Sequence, residues 1–339
     1  MVNTQEHIWN RNFIFITIGN GLLFVNFHML VPTIAMYAAS IGSSGSEIGI
    51  IAGIFALSAI VVRLFTDALV GRLGKKRCLF LGLLTSLIAT TGYGLFPTFG
   101  GLLALRILHG FGFGLSTTFA SAACVVAILL FMLARVPERP LMQKKKETIS
   151  LIHHFFEEGT AVPGVISFLF GFVYASVNTY LPLMAEEAHI AYAGLFFVFG
   201  TLFVFISRLF GGKLYDRHGP FCVMFPGVLI YSVAIFMICT AHSSVYLLCG
   251  SIFYGLGAGL LMPAIMTWLF NVVAPTRRSN ASATYYNTMD LGTCLGIVLL
   301  GTLAGHVGYI AIFYAVLAVM GLYIAFTLWA WKSGHMSDH

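Results

Sequence analysis

Charge is what this chain has least of. Of its 339 residues only 9% are Asp, Glu, Lys or Arg, against 59% hydrophobic, with a mean hydropathy of +0.92. Soluble domains carry about a quarter of their residues charged, so this composition excludes one and makes the lipid bilayer the partner that solvates the chain. No G-x-x-x-x-G-K-[ST] loop occurs, which removes support for ATP-driven work. Six cysteines (Cys78, Cys124, Cys222, Cys239, Cys249, Cys294) sit in or beside apolar runs without CxxC or Cys/His ligand spacing. That pattern argues against both a disulfide framework and a metal centre. No serine or cysteine stands beside a base in a recognisable arrangement, so neither an enzyme nor a cofactor is expected. No small-residue cleavage site follows the first apolar run, and that run is expected to be retained as a span. The net charge of +6 would suit nucleic acid, but the basic residues are confined to short loops between apolar runs and read as a topology signal instead. No nucleic-acid partner is expected, and the sequence carries no signal of oligomeric state.

What the chain does have is an internal copy of itself. RLFTDALVGRLGKKR from Arg63 is echoed by RLFGGKLYDRHG from Arg208, a step of 145 (208 − 63). Gly110, Gly112 and Gly114 of HGFGFGL are echoed by Gly255, Gly257 and Gly259 of YGLGAGL at the same step (255 − 110). Parallel repeats with apolar spans in both halves are the mark of membrane transporters that rock one half against the other.

A spanning helix needs about 20 apolar residues. Windows of that size fall near 12–37, 47–70, 78–96, 100–133, 161–184, 193–212, 221–241, 246–270, 283–304 and 310–331. The expected fold is therefore an all-α membrane protein of about ten spans in two pseudo-symmetric helix bundles. Residues 1–136 form a shortened bundle of about four spans and 137–160 a linker. A six-helix bundle follows over 161–332, with a tail over 333–339. With the N-terminus inside, 15 of the 18 Lys and Arg fall on the cytoplasmic side: Arg11, Arg72, Lys75, Lys76, Arg77, five over 134–160 (Arg135, Arg139, Lys144, Lys145, Lys146), Lys213, Arg217, Arg277, Arg278 and Lys332. The opposite loops hold none, which predicts a multi-pass inner (plasma) membrane protein with both termini cytoplasmic. Lys144, Lys145 and Lys146 read as part of a solvated basic loop, with anionic headgroups as the alternative ligand.

The halves differ in length. Gly255 lies 77 residues before Lys332 (332 − 255), whereas Gly110 lies 27 before Pro137 (137 − 110), so about 50 residues, or two spans, are missing from the first half. The stretch 100–135 must then cross in one long, tilted or bent passage.

Arg208, Gly212, Leu214, Asp216, Arg217 and Gly219 reproduce R-x-x-x-G-x-L-x-D-R-x-G. That motif resembles the cytoplasmic loop of the major facilitator superfamily, and the likeness covers the whole chain. The opening two helices and LRILHGFGFGLSTT further resemble its bacterial drug:proton antiporter branch, with Arg106 at the position linked to proton coupling and His109 where glutamine is commoner. The resemblance implies alternating access by a small-molecule transporter driven by a proton gradient, working as an efflux system. Uptake of metabolites or sugars, and a non-transporting membrane binding or regulatory protein, stand as alternatives. The branch's glycine- and proline-rich fifth-helix motif has no counterpart between Ala122 and Pro137, so the loss is expected to impair coupled transport.

In the first copy of the loop motif (Arg63, Asp67, Gly71, Arg72, Gly74, Lys75) acid and glycine are exchanged. Asp67 either pairs with Arg63, Arg72 or another local base, or leaves a weakened latch. Asp290 is the sole acid in the interior of a predicted span, at least a turn inside the membrane. It is a candidate proton carrier, or a structural acid held by a neighbouring arginine or helix end. Arg106, the one base deep in a span, serves coupling or substrate binding, or bonds backbone carbonyls. Asn20, Asn26, His28, His109, Asn178, Tyr180 and Asn287 complete the candidates. The resemblance places the first and fourth helices of each half against a central cavity, while polar groups in spans also serve as plain interhelical contacts.

Overall fold

The computed structural model describes residues 30–118, 156–274 and 277–336. Backbone amides in lipid must be satisfied within the chain, and the described residues contain helices with no strand among them. These are α1 (Leu30–Ser40), α2 (Gly45–Leu73), α3 (Lys75–Gly92), α4 (Phe99–Thr118), α5 (Ala161–Glu187), α6 (Gly194–Cys239), α7 (Ser244–Asn271), α8 (Arg278–Val307) and α9 (Tyr309–Lys332). At 46 residues α6 holds twice the length a bilayer core requires. Gly219, at φ 75° and ψ −179°, breaks it into two arms. Counting those arms separately, among the described residues four helices precede the 119–155 stretch and six follow it, the all-helical arrangement expected. The long passage over 100–135 is described as α4 as far as Thr118. The rest of it, and Asn20, Asn26 and His28, lie outside the described residues.

The duplication holds contact by contact. On α4, a Cβ at Gly110 would overlap Ser58 and the Phe55 carbonyl of α2, and one at Gly114 would overlap Val62 and crowd Ala59. On α7, Gly255 meets Gly200 and Phe203 of α6, and Gly259 meets Val204 and Ser207. Gly112 abuts Ser86 of α3, while Gly257 abuts Tyr231 in the second arm of α6. Every partner steps by the same 145 (200 − 55, 204 − 59, 207 − 62, 231 − 86). The glycine triplet is therefore where the fourth helix of each half meets the second and third at backbone distance, the packing that lipid-embedded helices favour. The turn glycines obey the step too: Gly74 (φ 81°) separates α2 from α3 as Gly219 separates the arms of α6. A side chain at either position meets the left-handed penalty that glycine escapes.

The two halves join along α2 and α8, which run antiparallel. At the end remote from the basic loops, a Cβ on Gly45 would lie 3.0 Å from the Gly301 carbonyl, and one on Gly49 would lie 3.0 Å from that of Ile297. Gly53 packs against Val298 and Cys294. A glycine at every fourth position keeps one face of α2 bare, so the partner's backbone can approach it. On its other side α8 is as tight against α5, where Gly171, Gly292 and Gly296 meet backbone of the facing helix.

Gly110→Val and Gly255→Val should therefore each destabilise the protein by about 1–3 kcal/mol through overpacking. Gly321→Ala, facing open space on α9, should be neutral or slightly stabilising. Unfolding in detergent micelles followed by circular dichroism checks all three.

Candidate functional site

Between the halves lies a cavity of about 450 Å³, a volume suited to a drug-sized ligand. The first half contributes Phe55 from α2 and Arg106 and Phe113 from α4, and α5 supplies Tyr174 and Asn178. From α6 come Arg208 and Gly212, and from α7 Met262 and Met266. The longest side is α8, with Tyr285, Tyr286, Met289, Asp290 and Thr293. The wall is thus mostly apolar, with five aromatic rings and three thioethers among its side chains and a few polar groups spaced around it.

Asp290 does not stand alone. Its carboxylate accepts a hydrogen bond from Nη1 of Arg63, so the acid of α8 in one half is bridged to the base of α2 in the other. Both side chains are largely shielded, 6% exposed for Arg63 and 18% for Asp290, and the guanidinium carbon lies 5.6 Å from the Tyr286 ring centre. Removing water from two charges is costly, and only close pairing offsets that cost. Arg106 is 1% exposed. Its Nε donates to the Ile51 carbonyl at 3.3 Å, its guanidinium sits over the Phe55 ring at 4.9 Å, and its Nη1 has no hydrogen-bond partner among the described residues. Asn178 donates through Nδ2 to the Tyr174 carbonyl at 2.7 Å and to the Tyr254 hydroxyl at 2.8 Å, which fixes its amide at the cavity edge.

Of the residues proposed from sequence, Arg106, Asn178, Asp290, Arg208 and Gly212 share this cavity. Three others sit in helix packing and are not among its lining residues. His109 is 2% exposed, accepts from or donates to the Tyr93 hydroxyl at 3.0 Å, and meets Phe55 edge-on. The fully buried hydroxyl of Tyr180 donates to the Ile297 carbonyl at 2.5 Å, beneath Gly301 in the α2–α8 seam. Asn287 is buried, and its Oδ1 has no partner among the described residues. In the loop motifs, Gly71 and Arg72 end α2, and Asp216 and Arg217 lie exposed with no ion pair among the described residues. The side chains of Asp67 and Lys75 lie outside the description.

Sequence reasoning missed the partner of Asp290, because Arg63 had been assigned to its local loop. It also missed the glycine row Gly45, Gly49, Gly53, although the four-residue spacing in GSEIGIIAG was there to be read. A third omission is Glu157, 8% exposed, which accepts from Arg277 at 2.7 Å and Asn280 at 2.8 Å and ties the entry of α5 to the start of α8.

The model of the Major Facilitator Superfamily matches residues 16–125, 113–244 and 163–337. The chain belongs to that superfamily. Within it, "Probable anion transporter 3, chloroplastic" of Arabidopsis thaliana is 31% identical over 142 residues, 41% of this chain and 26% of the relative. "Quinolone resistance protein NorA" of Staphylococcus aureus is 27% identical over 94 residues, 28% of this chain and 24% of the relative. The matched stretches thus span about a quarter of these curated relatives. Among solved structures, the D-xylose-proton symporter superposes with a TM-score of 0.73 at 16% identity, over 92% of this chain and 95% of that one. At that identity the likeness is one of major facilitator fold.

Arg63→Gln should destabilise this major facilitator protein by about 3–5 kcal/mol, since it leaves a shielded carboxylate unpaired. Asp290→Asn in the same background should recover most of the loss. A double-mutant cycle on unfolding midpoints in detergent checks both.

Proposed function

We propose that the chain is a proton-coupled secondary transporter that exports small molecules by alternating access. The observation that carries this reading is the shielded Arg63–Asp290 pair bridging the two halves at the wall of their shared cavity. A carboxylate in that place links protonation to the contact between halves. Protonation cancels its charge and removes the attraction to Arg63, so acidification loosens the bridge and a rise in pH restores it. The proton then prefers the state in which α2 and α8 have parted, and only such a differential preference can shift the equilibrium. The glycine seam and the bridge are the contacts that opening would have to part. The direction of export draws its support from the opening two helices and the fourth-helix motif, and from the local likeness to a quinolone resistance protein.

A second reading, a membrane protein that binds a ligand without moving it, is favoured by the exposed first arm of α6. There Leu209 is 70% and Phe210 67% exposed, and Arg208 and Gly212 are exposed while lining the cavity. Flux in proteoliposomes under an imposed proton gradient, with ligand binding measured alongside, separates the two. Gradient-driven export supports the first, and binding with no flux in either direction sinks it. Asp290→Asn should flatten the pH profile of transport at a cost in stability, since it leaves Arg63 unpaired. Asp290→Asn combined with Arg63→Gln, which removes both charges, keeps the measurement on folded protein, and an unaltered profile in either variant would remove the carboxylate from the cycle.

The proposed orientation puts the basic loops in the cytoplasm. Lys213→Cys in a cysteine-free background should then resist an impermeant thiol reagent in intact cells and react after permeabilisation. Labelling in intact cells would reverse the orientation.

A further inference from the structure

The polar groups of the cavity are not balanced in charge. Its lining carries two arginines, Arg106 and Arg208, and among the described residues the only carboxylate there is Asp290. That carboxylate is already bridged to Arg63. Neither Arg106 nor Arg208 makes an ion pair among the described residues. Among the described residues Arg208 donates to the Met262 sulfur at 3.9 Å and lies within electrostatic reach of the Tyr174 and Tyr285 hydroxyls. Arg106 is the more telling, because it is 1% exposed and its Nη1 still has no hydrogen-bond partner among the described residues. A cation held that far from water is costly unless an anion or several acceptors meet it. A guanidinium also presents a planar fork of N–H donors matched to an oxyanion. Around the two bases the wall is aromatic and thioether: Phe55, Phe113, Tyr174, Tyr285, Met262 and Met266.

We infer that the cavity takes an organic anion, a carboxylate or sulfonate borne on an aromatic or otherwise apolar body. The acidic group faces Arg106 and Arg208, and the body lies against the rings and methionines. The inference rests on reading this cavity as the substrate site.

Full-length protein in lipid nanodiscs, titrated calorimetrically, tests it with three probes that share a ring system and differ in charge: 2-naphthoate, 2-naphthylmethylammonium and 2-naphthylmethanol. Naphthoate should bind about tenfold tighter than the other two. Arg106→Gln and Arg208→Gln should each weaken it by about tenfold, while Lys332→Gln, at the end of α9, should not change it. Thermal melting reports whether each variant is folded. Arg106→Lys, which keeps the charge, should retain part of the affinity and replaces Arg106→Gln if that variant does not fold. Absent naphthoate binding, equal or tighter binding of the ammonium or alcohol, or undiminished naphthoate affinity in the folded arginine variants overturns the assignment. Displacement of naphthoate by an equal concentration of chloride would mark an inorganic-anion site and overturns it too. Proteoliposome flux separates this from the transport reading. Naphthoate binding without flux removes transport and leaves the ligand class standing, whereas flux of the ammonium probe without naphthoate binding does the reverse.

Discussion

The backbone-distance contact of α2 with α8 is the constraint on which the arrangement of the halves depends. Lipid gives helices no hydrophobic reason to associate, so close packing and polar contacts must hold them. Here the glycine row of α2 supplies the first and the Arg63–Asp290 bridge the second. Because α8 is equally close to α5 through Gly171, Gly292 and Gly296, it couples the second half's interior to the first half's wall. The cavity owes its longest side to that helix, so whatever shifts α8 against α2 also reshapes the site.

The two-fold repeat makes the halves comparable and shows where they part company. Stepping the range of α8 back by 145 gives 133–162 (278 − 145, 307 − 145), which in sequence is the charged link. The seam formed by α2 and α8 thus has no apolar counterpart in sequence to lie against the first arm of α6. That arm is correspondingly bare, with Val198 64% and Phe205 63% exposed. Arg208, at its basic end, is exposed while lining the cavity.

Much of this was legible without coordinates. Apolar run lengths located the described helices, and a repeat step of 145 fixed which glycines would play equivalent roles, while the residues they pack against emerged only from the structure. Those are one-dimensional properties, set by bilayer thickness and by duplication. The partner of Asp290 was not legible, because Arg63 lies far from it in the chain and a local motif already accounted for that arginine. His109 and Tyr180 show the converse: a polar residue on the right helix turns toward the cavity or into packing according to its angle around the axis. Neighbouring helices set that angle, and near-uniform hydrophobicity around each span leaves little amphipathic signal to read it from.

The antiparallel pairing of α2 and α8 also has leverage. Gly45 and Arg63 are 18 residues apart (63 − 45), about 27 Å along the helix axis. If the glycine end serves as fulcrum, a swing of roughly 10° carries the far end through about 5 Å, ample to separate the bridge while the pivot barely moves. A modest rotation would thus act on the Arg63–Asp290 contact as a long arm acts on a latch, with small backbone adjustments at Gly45 and Gly49 amplified into a break at Asp290.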